Sequence, residues 1–293
     1  MSGTETSART FAVIGDEAAA GLEGQIRTVR RLGWHTLELR TVDGTPLAEL
    51  PRARARECAA RLADAGVDVV CLASRIGNWG RPVTGDFAED VTELDTLIEQ
   101  GRLFGCGMVR VMSYPNDGLP EAEWARHVTA RLTRLAARAE EAGVTLVHEN
   151  CSGWAGASAP RTLRLLEDVA SPALRVLFDI GNGVPHGYDG VAMLRELLPH
   201  VAHVHVKDAV RTSGDDTAYT LPGDGQAHVA ECLDMLARGG YTGALSLEPH
   251  LAVRPHEGLN RPGADATSLT VSAGERLERL WSQTLDALAG RPA

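Results

Sequence analysis

One pattern limits what this chain can become. A short run rich in Val, Ile and Leu is followed by a longer segment with helical spacing, the segment stops at a glycine, and the pattern starts again. The runs that read as strands are FAVIG (11–15), TLELR (36–40), VDVVCLAS (67–74), MVRVMSY (108–114), VTLVHEN (144–150), LRVLFDIGN (174–182), VAHVHVKD (201–208) and ALSLEPH (244–250). The spacing predicts helices over 21–32, 47–65, 86–103, 121–142, 160–169, 190–198, 227–238 and 270–289. Glycines in RLGWHT, DAGVDVV, EAGVTLV and RGGYTGAL stand where helices should stop, because glycine takes the left-handed conformation that ends a helix. Strands joined by crossover helices make a parallel sheet. Eight such units predict an α/β fold closed into a (β/α)₈ barrel, with an open doubly wound sheet as the alternative. No linker or low-complexity tract divides the chain, so residues 1–293 read as a single domain with a disordered N-terminal segment over 1–9. The irregular segment 251–268, rich in Pro, Gly and His, is expected to cover the barrel mouth.

Composition excludes several classes. A formal net charge of −10 disfavours a phosphate backbone as partner, so no nucleic acid is expected. No apolar run approaches the ~20 residues of a membrane span, and the first ten residues lack the apolar core of a signal peptide. The five cysteines are odd in number and widely spaced, with no CxxC, which fits a reducing cytoplasm rather than a disulfide framework or a structural zinc site.

Chemistry in such a barrel sits at the C-terminal ends of the strands. Four consecutive predicted strands deliver polar groups there: Glu149 and Asn150, then Asp179, Gly181 and Asn182, then His205, Lys207 and Asp208, then Glu248 and His250. Alternation places His203, His205 and Lys207 on one face, opposite Val204 and Val206. Ser246, Glu248 and His250 share a face opposite Leu245 and Leu247, and Asp179 opposes Phe178 and Ile180. Three carboxylates cannot stay ionised close together without a compensating charge, which a divalent cation supplies. Two Glu, one Asp and one His suit Mn²⁺ first, and also Mg²⁺, Co²⁺ or Zn²⁺. His203 reads as a packed neighbour below the ligands.

Several residues keep two readings. Lys207 is either a substrate contact or the partner of Glu248 or Asp208. Arg40 either pairs with Glu38, two positions earlier on the same face, or touches substrate. Asp208 either caps the next turn or orients Lys207. PGDGQ (222–226) lacks the Lys-Ser/Thr of a phosphate loop and reads as a turn before a helix near Ala227, from which Asp224 could reach the site. Trp79 either contacts substrate or anchors its loop. Cys151 lacks an identifiable base. His250, two residues past Glu248, joins the substrate-facing set.

VHENCSG, LFDIGNG, HVHVKDA and GYTGALSLEPH, in this order and spacing, resemble the xylose-isomerase-like TIM barrels, the broad sugar (phosphate) isomerase/epimerase superfamily. GDEAAAGLEGQIRTVRRLGWHTLELR is similar to the first βαβ unit of that group, so the resemblance covers nearly the whole chain. It implies a single divalent metal held by Glu149, Asp179, His205 and Glu248, with Glu149 and Glu248 as the acid–base pair. It implies that Arg211, six residues after the metal His, holds a substrate hydroxyl. Asn182 stands where the ketose 3-epimerase branch usually has His, and Ala155 where that branch has a second Glu. The implied activity is isomerisation or epimerisation of a sugar, keto-sugar or cyclitol through an enediolate. Dehydration or another lyase reaction by the same site, and a non-catalytic barrel subunit, are the alternatives. Dimers or tetramers are common in the superfamily.

Overall fold

The computed structural model describes residues 9–213, 216–254, 258–261 and 263–290. Eight strands close into one parallel barrel: β1 (Phe11–Ile14), β2 (Thr36–Leu39), β3 (Asp68–Ala73), β4 (Met108–Ser113), β5 (Thr145–Gly153), β6 (Leu174–Asp179), β7 (Val201–Val206) and β8 (Leu245–Leu247). Each pairs with its neighbours in sequence, and β8 closes on β1 through Phe11 opposite Leu245. The main helices are α1 (Leu22–Arg31), α2 (Arg52–Ala65), α3 (Phe87–Phe104), α4 (Glu121–Ala142), α5 (Ala159–Val169), α6 (Gly190–Leu197), α7 (Val229–Arg238) and α8 (Ala266–Ala289). The open-sheet alternative is therefore excluded. The four punctuating glycines, Gly33, Gly66, Gly143 and Gly240, all have positive φ, between 64° and 72°.

The differences from the expected boundaries have local causes. The helix expected over 47–65 is a 3₁₀ turn, Leu47–Glu49, followed by α2. Pro51 separates them: it holds Leu50 extended and then starts α2 as a helix without needing an N–H of its own. Helix α8 begins at Ala266, earlier than expected, because the Asp265 side chain accepts from the Ser268 N–H and caps it. The seventh strand stops at Val206; the chain then leaves the barrel as a hairpin of Asp208–Arg211 against Thr217–Thr220. In the segment expected to cover the mouth, Val253–Arg254 pairs with Leu259–Asn260, while 255–257 and 262 lie outside the described residues. Residues 1–8 of the expected N-terminal segment also lie outside them. Arg9 donates to the Gly243 and Tyr241 carbonyls and stacks 4.4 Å over Trp281.

The core sits between barrel and helices. Val204, Val206, Leu245, Leu247, Phe178 and Ile180 belong to that layer, each worth about 1.5–3 kcal/mol of burial. A much smaller apolar plug, Cys71, Val147 and Leu177, fills the barrel axis. Above it the inner positions are polar.

Candidate active site

The ends of β5 to β8 bring their polar residues together. One donor atom each from Glu149, Asp179, His205 and Glu248 lies within 4.8 Å of the others, and all four residues are buried. Strand register aligns them: Asp179 is level with His205, and His205 with Ser246. Asn150 ties β5 to β6, accepting from the Asp179 N–H at 2.5 Å and donating to the Asp179 carbonyl at 2.9 Å. Asp179 Oδ1 accepts the N–H groups of Gly181 and Asn182 at 2.8 and 3.0 Å. That leaves Oδ2 turned inward, 3.8 Å from His205 Nδ1, which stands 3.6 Å from Glu248 Oε2.

Glu38 is the residue whose role the sequence misplaced. It does not pair with Arg40. It lies fully buried beneath the site and accepts from His203 Nε2 at 2.8 Å and from His205 Nε2 at 3.0 Å to both carboxylate oxygens. Burial opposes its ionisation, but His205 and His203 hold it well below the usual carboxylate range. With Nε2 committed as donor, His205 presents Nδ1 to the cluster. In metal sites a carboxylate fixes the tautomer of a ligating imidazole by the same kind of bond.

Three buried cations face the carboxylates. Arg40 is spread over Asp16, Glu17 and Glu248, with Nη1 2.9 Å from Glu248 Oε1. Its donors are thus committed to carboxylates rather than turned to a substrate. Arg110, on the inner face of β4, donates to Glu149 Oε2 at 3.2 Å and to the Ser74 carbonyl at 2.8 Å. Alternation along MVRVMSY is the signal that places Arg110 inside the barrel. Lys207 Nζ lies 2.6 Å from Asp179 Oδ2 and 2.6 Å from Glu248 Oε2, so its partners are these two and not Asp208.

The electrostatics ask for more positive charge. Burial, reinforced by Glu248 and Glu149, pushes the Asp179 carboxyl up to about 6 even beside Lys207. Burial also works against ionised Glu248, but Lys207, His250 and His205 hold it well below the usual range. His205 Nδ1 is buried without a hydrogen-bond partner among the described residues, and Asp179 Oδ2, equally buried, rests on the Lys207 ammonium 2.6 Å away. Ligand atoms about 2.1 Å from one small divalent ion sit at most about 4.2 Å apart, so a slight inward adjustment of this set suffices. The unpartnered His205 nitrogen, the three carboxylates and the mixed donor set fit a divalent cation.

A cavity of about 520 Å³ opens above the cluster. Glu149, Glu248, Lys207, Arg110, Asn182 and His250 line it, together with Trp79, Tyr219 and Arg254. Asn182 donates to Glu149 Oε1 at 3.0 Å and to the Asn150 carbonyl at 2.9 Å. His250, at φ 53°, is gripped by Glu17 through its N–H and Nδ1, both at 2.7 Å. Trp79, 44% exposed, stands at the rim. Cys151 does have a ring nitrogen beside it, His186 Nε2 at 3.4 Å, but burial, then Glu149, pushes its thiol up to about 12, which suppresses the thiolate.

Two expected contributors are carried elsewhere. Arg211 lies on the hairpin that leaves the barrel; its Nε donates to the Val184 carbonyl at 3.0 Å and it lines a separate cavity with Tyr188 and Gln226. Asp224 pairs with Arg276 at 2.6 Å on the surface. PGDGQ instead wraps the Asp208 carboxylate, which accepts the N–H groups of Gly223, Gly225 and Ala227 at 2.8–3.0 Å. A Cβ at 225 would meet Asp208 Oδ1 at 2.2 Å, so only glycine allows that approach.

A family model described as xylose isomerase-like TIM barrel matches residues 26–268. Inosose dehydratase 1 of Bacillus cereus is 30% identical over 181 residues, which span 56% of this chain and 59% of that protein. The 2-epi-5-epi-valiolone 7-phosphate 2-epimerase of Actinoplanes sp. is 30% identical over 193 residues, spanning 62% of this chain and 65% of that protein. The solved structure of an L-ribulose 3-epimerase superposes with a TM-score of 0.77 at 19% identity, covering 97% of this chain and 100% of that one. That last likeness concerns the fold.

Proposed function

This chain belongs to the xylose isomerase-like TIM-barrel family, and from that premise we propose that it enolises a ketone on a sugar or cyclitol and returns the proton as an epimer or isomer. One observation carries the reading: four buried donor groups, three of them carboxylates, converge beside a cavity that Glu149 and Glu248 both line. Glu149, Asp179, His205 and Glu248 would hold a divalent ion, Mn²⁺ first among the candidates, and that ion when bound supplies charge stabilisation for an enediolate and neutralises the carboxylates.

The remaining work falls to the protein's own groups. A C–H beside a carbonyl is too weak an acid to ionise in water at neutral pH, so a fixed base must meet it. Glu149 is held through one oxygen by Asn182 and through the other by Arg110. Glu248 is held through Oε1 by Arg40 and, before an ion is bound, through Oε2 by Lys207. Each carboxylate oxygen keeps a further lone pair for a proton. One glutamate removes the proton and the other returns it to the opposite face, which is epimerisation; return to the neighbouring carbon is isomerisation. Trp79 at the rim offers an apolar face to a sugar ring.

Dehydration is the second reading, favoured by the similarity to an inosose dehydratase. Proton removal is the same, but a β-hydroxyl then leaves as water. Incubation with Mn²⁺ and a panel of ketoses and cyclitol ketones in D₂O, followed by NMR, tests both. Deuterium beside the carbonyl in an intact epimer or isomer supports the first reading, and an unsaturated product the second. Absence of exchange from protein shown to bind Mn²⁺ would refute both.

A further inference from the structure

Lys207 is the single lysine in 293 residues; the other 28 basic side chains are arginines. A chain that uses arginine everywhere else keeps lysine at the centre of its carboxylate cluster. The two side chains differ in shape: a guanidinium is a wide planar fork, an ammonium a compact point charge with the bulk of a small ion. Lys207 Nζ contacts Asp179 Oδ2 and Glu248 Oε2 at 2.6 Å each, and His205 Nδ1 faces the same two oxygens at 3.8 and 3.6 Å. The ammonium therefore stands among the donor groups that fit a divalent cation. A cation drawing Asp179, Glu248 and His205 together would need the space that Nζ fills.

We propose that Lys207 is a resident counter-ion, which holds the carboxylates of the site before loading, and that a divalent metal displaces its ammonium into the substrate cavity. Lys207 already lines that cavity. Its stem rests on bare backbone at Gly181, where a Cβ would meet Lys207 Cγ at 2.2 Å, so no side chain pins it from that side. Displacement turns a structural cation into a substrate-facing one only when the metal is present. This inference rests on the metal-site reading above.

The single lysine makes the test direct. Untagged full-length protein is acetylated with an amine-selective reagent, with and without saturating Mn²⁺, and the modified residues are read by peptide mass spectrometry. The N-terminal amine serves as the internal reference. Protection of Lys207 without Mn²⁺ and at least tenfold faster labelling with it are expected. Unchanged labelling in protein that calorimetry shows to be Mn²⁺-bound overturns the displacement and leaves the metal site standing. In parallel, Lys207→Met keeps the stem and removes the charge, and it is expected to bind Mn²⁺ at least tenfold more tightly than the parent. Equal or weaker binding by the folded variant also overturns the proposal. If neither protein binds Mn²⁺, Mg²⁺, Co²⁺ or Zn²⁺, the metal-site reading fails and Lys207 is a permanent counter-ion.

Discussion

Replacing Glu38 by glutamine alters one atom and one charge in the floor of the site, and its consequences can be worked through in sequence. The carboxylate accepts Nε2–H from both His203 and His205. A glutamine in the same place offers one acceptor oxygen and one NH₂ donor. One histidine keeps its bond; the other meets a donor and must either leave its N–H unpaired or switch tautomer. An unpaired buried N–H costs about 1–3 kcal/mol, so folding stability should fall by that amount. If His205 switches, Nδ1 must keep a proton and can no longer give its lone pair to an ion between Asp179 and Glu248. Removing a group that orients a ligating imidazole changes metal affinity about 10–100-fold, or about 1.4–2.8 kcal/mol. The assay is calorimetric titration of Mn²⁺ into parent and Glu38→Gln, with urea unfolding run beside it. A variant that folds normally and binds Mn²⁺ as tightly as the parent would show that Glu38 does not set the imidazole.

Other perturbations separate the remaining roles. Glu149→Gln and Glu248→Gln should each slow deuterium incorporation by about 10²–10⁴-fold, read by NMR, since each removes a proton-transfer group; a smaller loss would move the acid–base pair elsewhere. Arg40→Met leaves Asp16, Glu17 and Glu248 buried without their common cation, and urea unfolding should show a loss of about 3–5 kcal/mol. His148 is buried with neither ring nitrogen partnered among the described residues, and burial holds its pKa down at about 4 against an ordinary 6.5. The unfolded chain therefore takes up the proton first: this contribution to stability is complete above pH 6.5 and is lost as the pH falls towards 4. Between pH 7 and pH 5 it should amount to about 2 kcal/mol, and His148→Leu should lack that part of the slope.

The barrel was legible because its signals are local. Glycine after a helix, apolar alternation along a strand and proline at a helix start each act within a few residues, and Gly33, Gly66, Gly143 and Gly240 behave as the pattern requires. Alternation also identified the inner face of the last strands, so Glu149, Asp179, His205 and Glu248 were recognisable before any coordinates. Arg211 followed only from the family resemblance, and the hairpin after Val206 places it on a different cavity. Arg110 was visible by the same alternation and was overlooked in an otherwise apolar run.

What the sequence determined by itself is a closed parallel barrel with four ionisable groups at one end, since strand period and helix termination follow from nearest neighbours. Which charge meets which was decided only by the tertiary structure. Pairing with Arg40, two residues away, is one of the readings the sequence allows for Glu38, yet it joins His203 and His205 from 165 and 167 residues along the chain. Arg40 reaches across 208 residues to Glu248, and Lys207 settles between Asp179 and Glu248. Inside a closed barrel every inward side chain is a neighbour of the others, and in a medium of low polarisability charges pair by distance and desolvation. Those distances are fixed by barrel closure and strand stagger, to which no local pattern of residues refers.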